Sequence, residues 1–243
     1  MKAGNIITLI AAALIAVSCK PKVPVWEVNA TLEDGIFTWS NDVVSYSVFV
    51  QDPRNDGKPV CGISAKVNDS EGHEISLASG QDLGYGASAP MGISGFYLPD
   101  RPCKTAEVVM RTPDQIIIHL GYDVWKIDEA EITLDKQITL TAGSAVMKVI
   151  DYYNGPFEKL NIAIGISEDK ALSKMVNDHS MICADSNGYT TLVAMPESSS
   201  KAESRNGYLL MQHEVTAGEP LYYYIGVSGT GPDSFLDILD TFN

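Results

Sequence analysis

The sequence is poor in the residue types on which several common functions depend. It has four histidines in 243 residues, and its 17 Lys and Arg residues are outnumbered by 31 Asp and Glu residues, for a net charge of −14. No stretch gathers the basic residues into a patch. Since nucleic acids are held largely through phosphate contacts from Lys and Arg, we predict no nucleic-acid partner. The acidity does not decide for or against an anionic polysaccharide.

Cysteines are also few, and none has the spacing of a known metal site. The sequence contains no Cys-x-x-Cys pair, no Cys/His pair of zinc-finger spacing and no His-Glu-x-x-His motif, so we predict neither a metal nor a cofactor. Beyond the N-terminal cysteine there are three others, Cys61, Cys103 and Cys183. They are compatible with one disulfide and one leftover thiol, or with three buried thiols.

Long apolar runs are absent except at the N-terminus. Residues 6–17 are almost wholly apolar, but the run is short for a membrane span. It ends at Ala16-Val17-Ser18-Cys19, which resembles a bacterial lipobox, where small residues precede a cysteine that is lipidated. We therefore expect a lipoprotein signal peptide in residues 1–18, with an ordinary secretory signal and an incidental cysteine as the alternative.

After cleavage, residues 19–24 would form the lipidated Cys19 and a short tether. Lys20-Pro21-Lys22 is not acidic, whereas the surface-export signals of some gut-type Gram-negative bacteria are. We therefore expect the protein in the cell envelope, facing the periplasm, with the lipid as its only contact with the membrane.

The remainder of the chain reads as short β-strands. From Ile132 to Thr141, apolar residues alternate with polar ones, and Lys136 is the only charged residue on the apolar side. This period of two predicts a half-buried strand. Similar runs at residues 116–127 and 145–153 should pair with it in one antiparallel sheet. Without a bulge, the first run places His119, Asp123 and Trp125 on one face.

More than ten such runs and almost no helical pattern predict an all-β domain over residues 25–243, a large antiparallel two-sheet sandwich or a barrel. Residues 168–177 have the most helix-like composition, and the tail after Pro232 favours a helical turn or two. Residues 68–90 are rich in glycine and predict a long loop or an irregular strand pair.

Three blocks carry a family resemblance. They are GHEISLASGQDLGYGA at residues 72–87, DVWKIDEAEITLDKQITLTAGSAVMKV at 123–149 and GYLLMQHEVTAGEPLYYYIGV at 207–227. In this order they resemble an uncharacterised lipoprotein family of polysaccharide-degrading bacteria, domain-of-unknown-function family 4861. The resemblance covers roughly residues 38–240 and implies a galactose-mutarotase-like carbohydrate-binding supersandwich, encoded beside polysaccharide lyases and glycoside hydrolases. It implies no secure activity.

Sugar recognition needs an aromatic face for C–H groups and fixed polar groups for hydroxyls. Trp125 with His119 and Asp123 offers both on one strand, with core packing of Trp125 as the alternative. Arg111 and Arg205 are candidate clamps for the carboxylate of a uronic acid.

His73 and Glu74 in the glycine-rich segment form a candidate acid–base pair, and Asp82 could replace Glu74. The alternative is a solvated loop pair. The predicted function is a periplasmic lipoprotein that binds or helps process an oligosaccharide or polysaccharide during polysaccharide utilisation. Two alternatives stay open: a carbohydrate-active enzyme (mutarotase or epimerase, hydrolase or lyase) using a His/carboxylate pair, and a structural, partner-binding envelope lipoprotein.

Overall fold

The computed structural model describes residues 27–51, 62–77, 83, 85–92, 95–198 and 202–240. Regular structure within these ranges is almost entirely β. The strands are β1 Asn29–Glu33, β2 Ile36–Ser40, β3 Val44–Phe49, β4 Ser64–Asn68, β5 Glu74–Leu77, β6 Tyr85–Pro90, β7 Thr105–Arg111, β8 Gln115–Ile127, β9 Ala130–Thr141, β10 Val146–Asn154, β11 Leu160–Ser167, β12 Ala171–Val176, β13 Ser180–Asp185, β14 Thr190–Ala194, β15 Glu203–Arg205, β16 Tyr208–Val215 and β17 Pro220–Ser228. A 3-10 turn, Pro232–Phe235, leads into the short helix α1, Leu236–Leu239.

The strands form three antiparallel sheets. The largest has eight strands in the order β12-β13-β14-β17-β10-β9-β8-β7, and the others have the orders β1-β2-β3-β4-β5 and β15-β16-β11-β6. Buried residues of all three sheets meet in one hydrophobic core, so the two smaller sheets together cover one face of the eight-stranded sheet. The prediction of a large all-β, antiparallel sandwich is confirmed, with its second layer divided into two sheets.

The central hairpin agrees with the sequence pattern. β8, β9 and β10 are neighbours, as predicted, and the inward side chains of β9 alternate strictly with outward ones. Ile132, Leu134, Ile138 and Leu140 are each at most 3% exposed. We call the face that they share with the core the inner face of the eight-stranded sheet, and the opposite side its outer face.

A bulge in β8 overturns the predicted face for Trp125. The register with β9 shifts between Tyr122 and Trp125, so that Asp123 and Val124 together oppose the single residue Thr133. One extra residue reverses the direction of every side chain that follows it in a strand. Trp125 therefore points into the core and is 3% exposed, whereas His119, before the bulge, stays on the outer face.

Two local predictions from composition have opposite outcomes. The helix-like composition of residues 168–177 does not produce a helix, because residues 171–176 form the edge strand β12, which pairs with β13. A helix this short gains little from its own hydrogen bonds, whereas the free edge of β13 offers a ladder of them. The helical end of the chain is confirmed by the 3-10 turn and α1. After β6, Met91 and Phe96 pair in an isolated antiparallel bridge.

The two cysteines within the described residues, Cys103 and Cys183, are buried free thiols. Burial raises the pKa of the Cys103 thiol to about 12, which keeps it protonated and unreactive. For these two residues the interpretation as buried thiols is confirmed. Cys61 lies outside the described residues.

Candidate functional site

The outer face of the eight-stranded sheet is covered at one end and open at the other. The C-terminal segment packs its Phe235 against β13, β14 and the start of β10, where Ile182, Leu192 and Val146 are buried. Gly226 of β17 makes room for it, since a Cβ there would lie 2.7 Å from a ring carbon of Phe235. No other sheet packs against the outer sides of β7, β8, β9 and β10 in the described part of the chain.

This open region, which we call the outer tract, presents mainly polar and aromatic side chains. Its members project from five neighbouring strands: Glu107 of β7, Ile117 and His119 of β8, Asp135, Gln137 and Thr139 of β9, Lys148, Ile150 and Tyr152 of β10, and Tyr222 of β17. Register brings five of them into one row across the sheet: Tyr222, Ile150, Gln137, His119 and Glu107. The row joins an aromatic ring at one end to charged groups at the other.

His119 is the chemical centre of the outer tract. Its Nε2 lies 3.0 Å from Oδ1 of Asp135, and its Nδ1 lies 3.6 Å from Oε1 of Glu107. The imidazole is 30% exposed, so it is oriented by both carboxylates and still reaches solvent. Gly121 leaves space beside it, because a Cβ at this position would lie 2.4 Å from the hydroxyl of Thr105. A histidine held between two carboxylates can exchange protons with a ligand.

Tyr222 supplies the aromatic surface. Its residue is 37% exposed, and the Nζ of Lys148 lies 5.4 Å from the centre of its ring. A ring held at this exposure on a strand can pack against the C–H groups of a ligand while its hydroxyl meets water. Gln137 adds donors and an acceptor in the same row, and Lys148 adds donors in a neighbouring row.

A buried polar network fixes the strands directly beneath the outer tract. The Nζ of Lys136 donates to Oδ1 and Oδ2 of Asp151 at 2.6 and 2.8 Å and to the hydroxyl of Tyr223 at 2.6 Å. Tyr223 donates in turn to Oδ2 of Asp151 at 2.8 Å, and Ser88 of β6 donates to the same oxygen. The hydroxyl of Tyr153 lies 2.8 Å from that of Ser88.

The members of this network alternate along the chain with residues of the outer tract. Lys136 stands between Asp135 and Gln137, and Tyr223 follows Tyr222. Burial lowers the pKa of Lys136, and the negative charge of Asp151 partly offsets this effect. The bonds tie β9, β10 and β17 to each other and to β6, which restricts sliding of the strands that carry the tract.

The structure separates the three residues that the sequence grouped around Trp125. The indole Nε1 of Trp125 donates to the carbonyl of Tyr97 at 3.0 Å, and its ring packs edge-on against Tyr153. Trp125 therefore packs in the core, which is the alternative to a sugar-binding role for this residue. Asp123, in the bulge, forms an ion pair with Lys104 at 3.2 Å, and its pKa is lowered mainly by the backbone N–H of Val124.

Asp123 and Trp125 line a surface cleft of about 480 Å³, together with Arg101, Lys126 and Glu131. Its charges are mixed, and Trp125 contributes little exposed surface there. Of the predicted trio, only His119 lies on the outer tract.

The predicted His73/Glu74 pair does not form. His73 is 71% exposed in the turn between β4 and β5, and its nearest carboxylate is Asp69, whose Oδ2 lies 3.2 Å from Nδ1. Backbone N–H groups of that turn, with His73 first, lower the pKa of Asp69. Glu74 points elsewhere and pairs with Lys66 at 3.0 Å, which lowers its pKa. Asp82 lies outside the described residues.

The two candidate arginines lie far apart in the topology. Arg111 ends β7, an edge of the eight-stranded sheet, and Arg205 ends β15, an edge of the four-stranded one. Cys19 falls outside the described residues. In the ranges that the structure describes, no three His, Cys, Asp or Glu side chains converge as a metal site. Nor is any helix there long and apolar enough to cross a bilayer.

Sequence reasoning missed most of the outer tract. Nothing in the run of three tyrosines at residues 222–224 marks Tyr222 as an exposed ring, and Asp135 and Gln137 stand out only as polar positions of an alternating strand. The signal available was the alternation itself, which placed Asp135, Gln137 and Thr139 together on the face opposite the core.

The fold and the outer tract define this protein as an antiparallel β-sandwich with one open, polar sheet face. A family model described as "Domain of unknown function (DUF4861)" matches residues 55–235, and the chain belongs to that family, as the resemblance predicted. No curated protein sequence matches it.

Among solved structures, the chain is similar to the heparan sulfate lyase HepC from Pedobacter heparinus. The TM-score is 0.52 and the identity 8%, over 86% of this chain. A mutant of the same lyase gives a TM-score of 0.51. The chain spans 38% of the lyase's length. At this identity the likeness concerns the fold.

Proposed function

We propose that this protein binds oligosaccharide along the outer tract, as a galactose-mutarotase-like supersandwich that serves polysaccharide utilisation. The observation that carries the proposal is the row from Tyr222 through Gln137 and His119 to Glu107. Four strand spacings of about 4.8 Å make this row roughly 19 Å long. That length suits an oligosaccharide better than a single ring.

The chemistry of the row fits sugars. A sugar ring has an apolar C–H face and a rim of hydroxyls, so it is held by an aromatic side chain and by groups that both donate and accept. Tyr222 meets the first need, and Gln137, Thr139 and the His119 cluster meet the second. The fold likeness to an enzyme named for heparan sulfate, a polysaccharide, supports the same class of ligand.

One observation favours a second candidate function, catalysis on the bound sugar. His119 lies beside two carboxylates and its imidazole is partly exposed to solvent, an arrangement suited to general acid–base chemistry in a mutarotase, hydrolase or lyase. This role replaces the one predicted for His73 and Glu74.

The location is also part of the proposal. Residues 1–18 would be removed as a signal peptide, and a lipid on Cys19 would anchor the domain at the periplasmic side of the envelope. Cys19→Ala should move the protein from the membrane fraction to the soluble periplasmic fraction. If the variant stays in the membrane fraction, the lipid anchor is refuted.

The decisive experiment is proton NMR of residues 20–243 with a panel of pectic and other plant oligosaccharides. Binding would broaden the ligand signals, and Tyr222→Leu should weaken it roughly tenfold, because it removes the ring and keeps an apolar side chain in the strand. New anomeric or unsaturated-sugar signals would establish catalysis, and His119→Ala should abolish them.

His73→Ala is the matched control, since it removes an exposed histidine that lies outside the tract. If His73→Ala impairs binding or turnover and Tyr222→Leu and His119→Ala do not, the outer tract is not the site. If the NMR signals of no oligosaccharide in a broad panel broaden, both sugar-related functions are refuted. A structural, partner-binding role then becomes the leading hypothesis.

A further inference from the structure

A second cleft lies where the three sheets meet. It is about 440 Å³ in volume and is bordered by Ile75 and Leu77 of β5, Tyr85 of β6, and Asp185, Asn187 and Tyr189 of the β13–β14 hairpin. These elements come from the five-, four- and eight-stranded sheets respectively. We call it the three-sheet cleft. Its size falls in the range of small-molecule sites, and it shares no residue with the outer tract.

Aromatic groups line part of this cleft. The rings of Tyr85 and Tyr189 meet edge to face, with centroids 6.2 Å apart. The hydroxyl of Tyr189 donates to Oδ2 of Asp185 at 3.1 Å. Burial, reinforced by Tyr85 and Asp185, raises the pKa of Tyr189 well above its ordinary value. The phenol of Tyr189 therefore stays neutral. The rings of Tyr85 and Tyr189 are both half-buried, and each presents apolar surface beside the cleft.

The polar residues on the rim of the cleft are held in place by backbone hydrogen bonds, while some of their side chains can still hydrogen-bond a ligand. The backbone N–H of Asn187 donates to Oδ1 of Asp185 at 2.7 Å, and the N–H of Ser186 donates to the carbonyl of Lys170 at 2.9 Å. The first bond lies within the β13–β14 turn, and the second joins that turn to the connection between β11 and β12. Among the described residues, none bonds the side-chain amide of Asn187 or the carboxylate of Asp169, which also lines the cleft.

We propose that the three-sheet cleft is a second ligand site and that it takes one neutral sugar residue. Tyr85 and Tyr189 would pack against the C–H groups of the ring, and Asn187 and Asp169 would bond its hydroxyls. Among the described residues that line the cleft, Asp169 and Asp185 carry carboxylates and Lys170 alone carries an ammonium. This balance disfavours uronic acids and sulfated sugars, which carry negative charge of their own.

The proposal stands apart from the one for the outer tract. The cleft uses the edges of the two smaller sheets, the β13–β14 hairpin turn and the connection between β11 and β12, whereas the tract uses the outer face of β7 to β10 and β17. A variant that abolishes binding at one site should therefore leave binding at the other intact, and each proposal can be refuted without refuting the other.

The test is a titration of the ¹⁵N-labelled protein, residues 20–243, followed by two-dimensional NMR. The probes are methyl glucoside, methyl galactoside, methyl xyloside and methyl rhamnoside, with the methyl glycoside of glucuronic acid as the charged counterpart. At least one neutral glycoside should shift the side-chain amide of Asn187 and the backbone amide of Gly188. The signals of Gly121, which lies beside His119 of the outer tract, report on the other site.

Asn187→Ala should weaken this binding about tenfold, since it removes a side-chain amide that bonds to none of the residues that the structure describes. Asp169→Asn should weaken it severalfold while keeping the shape of the side chain. Tyr222→Leu, in the outer tract, is the matched control and should leave it unchanged. The proposal is overturned if all neutral glycosides leave Asn187 and Gly188 unmoved, if the glucuronide binds there more tightly, or if Asn187→Ala has no effect on affinity.

Discussion

Removing one partner of the buried Lys136–Asp151 pair should destabilise the protein far more than removing both. The side chain of Lys136 is 4% exposed and that of Asp151 is 0% exposed, and the ammonium makes all three of its bonds within the network. Asp151→Asn keeps the size of the side chain but removes the charge that balances the buried ammonium. Lys136→Met leaves the carboxylate with only hydroxyl donors.

Breaking a buried ion pair in this way costs about 3–5 kcal/mol. For a domain of this size each kcal/mol lowers the melting temperature by about 2–4 °C, so either single variant should melt roughly 6–20 °C below the wild type. The double variant Lys136→Met/Asp151→Leu removes both charges, so no buried charge is left without a partner. Since apolar replacement of a buried pair is often neutral or stabilising, we expect it to lie within about 2 kcal/mol of the wild type.

Urea denaturation of the wild type, Lys136→Met, Asp151→Leu and the double variant would give the coupling free energy between the two residues, since these four proteins form a closed cycle. We expect a coupling free energy of about 3 kcal/mol or more. Each single change is costly because it leaves the charge of the remaining residue buried and unpaired, and the double variant avoids this cost. If the single variants cost less than about 1 kcal/mol, or if their costs simply add in the double variant, the charges do not depend on each other. The proposed role of the network beneath the tract would then be refuted.

Three other variants probe separate parts of the fold by thermal and urea denaturation. Asn41→Ala should cost about 2 kcal/mol, because the side-chain amide bridges to two carbonyls of the β9–β10 turn and its oxygen caps the start of β3. Gly229→Ala should cost about 1–3 kcal/mol, since its Cβ would lie 2.2 Å from the carbonyl oxygen of Asn68; unchanged stability would contradict this contact. Trp125→Phe loses the hydrogen bond to the carbonyl of Tyr97, so it should cost about 1 kcal/mol of stability and leave sugar binding unaltered. A loss of sugar affinity without a loss of stability would instead show that Trp125 contacts the ligand.

The class of fold and the central hairpin could be predicted because they depend on nearest-neighbour patterns. Apolar residues at every second position of β9 have only one face on which they can be buried, and the Ala142-Gly143-Ser144 break marks where the chain turns. Even Lys136, the single charged residue on that apolar side, was visible as an exception. Its partners were not, because Asp151 and Tyr223 follow it by 15 and 87 positions.

The composition of residues 168–177 favoured a helix, but the edge of β13 was available to pair with them, and a tertiary contact outweighed a weak local preference. The candidate sites depended on tertiary structure in the same way. One bulge in β8 turned Trp125 into the core and left His119 outside, although six positions apart they would share a face in a regular strand.

By itself, then, the sequence determined the all-β class, the family and which residues of a regular strand such as β9 face the core, because alternation and local turns are encoded position by position. Only the tertiary structure decided which outward residues meet. Strand order and register set Tyr222 of β17 in one row with His119 of β8, although 103 positions separate them in the chain. A ligand site on a sheet is built across strands, and pairing between distant strands cannot be read from either strand alone.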